Sequence, residues 1–206
     1  MLKILSPVLA SAVLLLGCNG NDPSGGSSLE IFLTASAPPP GSSSVVFVEE
    51  GAGGGDLVIV DLLVRDITDE FDGFNIEIMF DPLVAEASGY TSAGILDACA
   101  GGLTVLKCDN ISSCSTPATN ANSTGSIIIS ESIIGSTPPG CTASGLRKIG
   151  SLSFRAAGRG TSTLPFIPFN NDPISPQGSR FVRRSPAVTE LPVEFFDSGA
   201  LLEVTR

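Results

Sequence analysis

The chain has 206 residues, no histidine or tryptophan, one tyrosine and eleven phenylalanines, and only 16% of it is charged. That length suits one generous domain, and the abundance of Gly, Ser, Thr, Val and Ile reads as β-rich rather than helical or disordered. A net charge of −10, or −11 once a leader carrying Lys3 is removed, opposes nucleic acid or any other polyanion as partner, and the lack of histidine excludes Ser-His-Asp and Cys-His catalysis.

Residues 1–17 contain the single Lys3, an apolar stretch over 8–16 and small residues at the end, the layout of a secretory leader. The apolar stretch is about half the roughly 20 residues that span a bilayer. Leu15-Leu16-Gly17-Cys18 resembles the bacterial lipobox. The resemblance implies cleavage before Cys18 and attachment of diacylglycerol to its sulfur, usually with an acyl chain on its amine. Two or three chains give stable membrane anchoring where one does not. The cysteine count agrees: Cys18, Cys99, Cys108, Cys114 and Cys141 are an odd set, and acylation of Cys18 leaves four that can pair in three ways. Asn19 is not the aspartate associated with inner-membrane retention, so the expected location is the bacterial cell envelope at the outer membrane. Residues 18–28, rich in Gly and Ser, read as a flexible tether to a domain spanning 29–206.

Along that domain, 29–35 alternates Leu29, Ile31 and Leu33 against Glu30 and Phe32, and 44–50 is a second short strand before the loop 51–56. Residues 57–65 place Val58, Val60, Leu62 and Val64 on one face, with a half-covered face opposite. Residues 74–80 alternate most cleanly. Phe74, Ile76, Ile78 and Phe80 point one way, while Asn75, Glu77 and Met79 form a polar face for solvent or a partner. Asp81-Pro82 ends that strand, and 83–88 returns. A Cys-bearing insertion follows at about 89–125. Further strands are expected at 126–134, 149–158, 162–169 and 199–204. Many short strands with Gly, Pro and Asp turns, and no long helix or repeat, point to a β-sandwich.

Functional candidates are few. Asp66, Asp69, Glu70 and Asp72 are hard oxygen donors within 65–73, read as a loop, and are the candidates for calcium, although an acidic turn explains them as well. Asp61, Glu77, Glu86 and Glu131 lie on expected strands, but nothing places two of them across one cleft as a glycosidase needs; they read as solvating exposed faces, and no enzyme is expected. A stacking platform for crystalline polysaccharide lacks its aromatic residues, since Phe74, Phe80 and Phe154 occupy inward positions. A hydrogen-bonding glycan site stays open. Arg180, Arg183 and Arg184 could meet an acidic partner, a lipid phosphate or an acidic loop of this chain. The sequons at Asn110 and Asn122 carry little weight in a bacterial lipoprotein. With no C-x-x-C spacing and no histidine, the four remaining cysteines read as staples rather than a redox or metal site.

The order of segments from 45 to 204 resembles the cohesin domain, within the wider cohesin-like and carbohydrate-binding-module superfamily. The matching stretches are GDLVIVDLLV, FDGFNIEIMFDPLVAEASG, GSIIISESII, KIGSLSFRAAGRGTSTLPF and GALLEV. The resemblance implies an all-β jelly-roll sandwich of about nine antiparallel strands that docks a calcium-binding dockerin on one sheet face. Asn75 stands where dockerin-binding cohesins carry an aspartate, and Gly73 where they carry an asparagine. The resemblance also implies that 103–111 is a strand antiparallel to 126–134, and that pairing favours Cys99–Cys141 and Cys108–Cys114 as the disulfides. The function expected is a lipid-anchored, non-catalytic protein-binding module. A carbohydrate-binding module linked to polysaccharide use is the first alternative, and a structural envelope lipoprotein the second.

Overall fold

The computed structural model describes residues 28–170, 177–184, 186–197 and 199–206. The leader, Cys18 and nearly all of the tether lie outside the described residues. In chain order the elements are β1 (Glu30–Thr34), β2 (Val45–Glu50), β3 (Leu57–Phe71), β4 (Gly73–Met79), β5 (Ala85–Ser92), β6 (Val105–Asp109), the single helical turn α1 (Ala121–Thr124), β7 (Ser126–Ile133), β8 (Cys141–Ala156), β9 (Gly160–Thr163), β10 (Arg180–Arg183), β11 (Thr189–Glu190), β12 (Glu194–Phe195) and β13 (Leu201–Thr205).

These strands form two five-stranded sheets, β12-β2-β3-β8-β5 and β11-β10-β4-β7-β6, and a three-stranded sheet, β1-β13-β9. The alternation in sequence builds the core directly. Val58, Val60, Leu62 and Val64 of β3 are buried, and so are Phe74, Ile76 and Ile78 of β4 and Ile127, Ile129 and Ile133 of β7. Ile31, Leu33, Leu202 and Val204 of the small sheet join the same contiguous cluster. Apolar surface from all three sheets is thereby removed from water together, the largest favourable contribution to folding. A satellite cluster of Val45, Phe47 and Leu63 forms on the outer side of the β2–β3 pair under Phe196.

Several sequence expectations change. Residues 65–73 are not a loop: β3 runs on to Phe71 and pairs with the first half of β8. Register shifts turn Ile67 and Phe71 into the core and leave Thr68, Asp69 and Glu70 exposed between them, so the acidic residues ride the strand. Strand β8 correspondingly starts at Cys141, eight residues before the expected 149. The strand expected at 162–169 stops at Thr163, because Pro165 and Pro168 cannot donate to a ladder and only isolated bridges at Phe166 and Pro168 follow. Within the insertion at 89–125, residues up to Ser92 belong to β5 and Val105–Asp109 to β6. Thirteen described strands stand against the nine or so implied, and β12 pairs with β2 in parallel. The surplus comes partly from the two-residue edge pieces β11 and β12.

Candidate functional site

Directly opposite residues in antiparallel strands point to the same side of a sheet. On the outer face of β10-β4-β7-β6 this aligns Arg180, Asn75, Ser130 and Cys108 in one row, and Val182, Gly73, Ser132 and Leu106 in the next. Glu77 stands beside Ile128, and Met79 beside Ser126. Asn75, Glu77 and Met79 thus share one face, and Asn75 and Glu77 line a cleft of about 370 Å³ with Ile128, Ser130, Gly178 and Arg180.

The polar groups of this face are occupied by one another. Asn75 Nδ2 donates to the Gly178 carbonyl at 2.8 Å, and the Ser130 hydroxyl donates to Asn75 Oδ1. Glu77 Oε1 accepts from the Ser126 hydroxyl at 2.9 Å, and Oε2 from the Gly178 N–H at 3.0 Å. The Arg180 guanidinium lies 4.2 Å from the Phe169 ring centre. What the face offers outward is apolar: Met79 and Ile128 are 46% and 38% exposed, with Leu106 and Val188 exposed beside them. Ile128 went unrecognised in the run Ile127-Ile128-Ile129. The signal was the parity of Ser126, Ser130 and Ser132, which places position 128 on the same outer side.

The calcium candidates do not converge. Asp72 is fully buried between β3 and β4, where it accepts from Arg184 Nε at 2.8 Å and Arg183 Nη1 at 3.1 Å. Asp66 accepts from the Gly145 N–H, and Asp69 and Glu70 face solvent, Glu70 lying 3.4 Å from Arg183. No cluster of three metal-binding side chains occurs among the described residues. Two of the three basic residues at 180–184 therefore meet an acid of their own chain.

Cys99 is bonded to Cys141 and Cys108 to Cys114, with Cα separations of 5.7 and 5.5 Å. The second bond sits at the rim of the outer face. There the Asp109 carboxylate accepts from the N–H groups of Ile111 and Ser112 and from the Ser113 hydroxyl. Burial pushes this carboxyl up, but the Ser113 and Ser112 hydrogen bonds outweigh burial and hold it below the ordinary value. The sequon asparagines are structural: Asn110 donates to the Thr119 and Ser126 carbonyls, and Asn122 both donates to and accepts from the Ala87 backbone.

Glu131 reverses its expected position. It does not solvate an exposed face but points inward from β7, 1% exposed. Tyr90 donates to its Oε1 at 2.9 Å, and Oε2 has no hydrogen-bond partner among the described residues. Burial pushes the Glu131 carboxyl above its ordinary value, and the hydroxyls of Ser92 and Tyr90 only partly counter this. Burial and the Glu131 charge push the Tyr90 phenol up in turn.

No family model matches the sequence, and no curated protein matches it either. Solved structures do. A type II cohesin domain from the cellulosome of Acetivibrio cellulolyticus superposes with a TM-score of 0.53 at 12% identity, over 77% of this chain and 95% of that one. The type II cohesin dyad of the adaptor ScaA scaffoldin from the same organism gives 0.51 at 16% identity, over 79% of this chain and 50% of the dyad. The second type II cohesin module of that scaffoldin gives 0.50 at 11%, over 76% and 93%. Identities this low speak to fold alone. The fold of this chain is cohesin-like.

Proposed function

We propose that this chain is a non-catalytic protein-docking module, held at a bacterial envelope through lipid on Cys18, and that the outer face of β4 and β7 receives a dockerin-type partner. The observation that carries the reading is the state of that face. Its amide and carboxylate are hydrogen-bonded to neighbouring groups of this chain, and Met79 and Ile128 remain exposed beside Glu77. A surface whose polar groups are already paired loses little by desolvation and presents apolar area to a partner. The cohesin-like fold supports the same use, because the resemblance assigns docking to one sheet face. Asn75 and Gly73 depart from the dockerin-binding pattern, which argues against binding of the cellulosomal kind.

The test is capture from the native envelope with the full chain, with a glycan array alongside. A bound protein carrying calcium-loop repeats is expected, and its capture should be lost on chelation because the calcium belongs to the partner. Ile128→Asp should weaken binding by at least about tenfold, the range of a central interface residue, with an unchanged melting temperature. A sugar ligand, or binding indifferent to Ile128→Asp, would overturn the assignment.

A further inference from the structure

The second notable surface lies where the chain enters the domain. Glu30 pairs with Thr205 and Val204 with Gly160, so Arg159, one residue before β9, lies at the same end of this small sheet as Thr205 and Glu30. Segment 157–158 donates to the Val84 carbonyl, at 2.9 Å from Ala157 and 3.2 Å from Gly158, and brings the 81–84 turn to this pole.

That turn is built to present Leu83. The Leu83 N–H donates to Asp81 Oδ1 at 2.9 Å, and the Val84 and Ala85 N–H groups donate to the Asp81 carbonyl. A Cβ on Gly158 would stand 2.5 Å from the Leu83 carbonyl oxygen, so glycine there lets the two segments close. Val84 is buried at 6% exposure, whereas Leu83 is held out at 81%. Arg159 and Arg206 are also exposed here, and neither forms a hydrogen bond or ion pair with any described residue, although Arg155, Arg183 and Arg184 of the same acidic chain are all paired. A rigidly projected leucine beside two uncommitted arginines matches the two layers of a membrane surface, acyl chain and phosphate.

The geometry points to this pole as a lipid-facing surface that seats on a phospholipid bilayer, with Leu83 at the headgroup–acyl boundary and Arg159 against phosphate. The inference rests on the reading of Cys18 as lipid-anchored. Only ten residues, 19 to 28, then separate the anchor from the domain, so the bilayer is present at a high effective concentration and even a weak contact orients the domain. Ser132 of the cleft, opposite Gly73, stands at the far end of β4, about 20 Å from Met79, so the docking face runs away from the membrane with Met79 as its nearest residue.

Because the chain lacks tryptophan, Leu83→Trp and Val188→Trp each introduce a unique reporter, the second beside the cleft. The full-chain proteins, purified from membranes, are incorporated into vesicles of phosphatidylethanolamine and phosphatidylglycerol with brominated acyl chains. Leu83→Trp emission should shift to the blue and fall about twofold, with Val188→Trp unaffected, and Arg159→Glu should weaken the quenching. Vesicle-bound protein with unquenched Leu83→Trp, or with equal quenching at both positions, would overturn the lipid-facing assignment while leaving the anchor intact. Protein that fails to sediment with vesicles would overturn the anchor itself, and this inference with it.

Discussion

At the scale of single residues, Glu131 is the clearest departure from the simple rule that apolar side chains line the interior. Its carboxyl is buried, with Tyr90 donating to one oxygen and the other left without a partner among the described residues. Burial favours the neutral acid and raises its pKa in the folded state above the ordinary 4.5. Folding therefore takes up a proton, and the stabilisation from the neutral acid is complete below about pH 4.5 and is lost as pH rises through the folded value. Denaturant titrations should show stability falling from pH 4.5 upward, and Glu131→Gln should flatten that slope. A slope unchanged in the glutamine variant would place its origin elsewhere. Gly150 makes room for the pair: a Cβ there would lie 2.5 Å from the Tyr90 ring. Gly150→Ala should cost about 1–3 kcal/mol by overpacking, measured as a shift in denaturation midpoint.

At the scale of elements, the parity of one strand decides the effect of neighbouring substitutions. Ile129→Ala on β7 removes a side chain with no exposure and should cost about 2–5 kcal/mol, while Ile128→Ala one position earlier should stay within about 0.5 kcal/mol. The same contrast separates the disulfides. Cys99–Cys141 closes 42 residues between the β5–β6 connection and the start of β8, and Cys108–Cys114 closes 6. Loop-closure entropy assigns them about 4 and about 2 kcal/mol. Asp109 also holds the shorter loop through its hydrogen bonds to 111–113, so Cys108→Ser/Cys114→Ser should melt closer to the parent than Cys99→Ser/Cys141→Ser. Asp72 joins β3 and β4 to the end of β10. Removing both Arg183 and Arg184 leaves its buried carboxylate unpaired, which should cost about 3–5 kcal/mol in chemical denaturation. Adding Asp72→Asn should recover part of that loss, because the neutral amide no longer needs a cation.

At the scale of the molecule, the docking face runs from Met79, close to the entry pole, to Gly73 and Ser132 at the far end of β4. The docking face is the outer side of one large sheet, and the entry pole gathers the start of β1, the end of β13 and the 81–84 turn. This arrangement lets one end be held at a membrane while a partner docks along the side, toward the far end of β4. Most of the interior was legible from alternation, because a strand with one buried face must repeat apolar residues every second position. That argument located Phe74, Ile76 and Ile78 as well as Val58, Val60 and Leu62. It failed where pairing overrode local composition. The acidic stretch after Arg65 reads as a turn, yet β8 supplies a partner strand that carries it on to Phe71. The short β10 was invisible because 180–184 reads as a basic cluster, and only its pairing with β4 and the buried Asp72 explain it.

The amino-acid order by itself determined the strand-rich class, the inward parity of β1, β3 and β4, and the side of β4 that carries Asn75, Glu77 and Met79. These follow from the two-residue repeat of an extended chain, which is a local property. Only the tertiary structure decided that Asp72 meets two arginines more than a hundred residues away, that Glu131 turns into the core, and that Leu83 and Arg159 share a pole with the point of chain entry. Those relations depend on which strands lie side by side, and strand pairing is a competition among distant segments that no local pattern records.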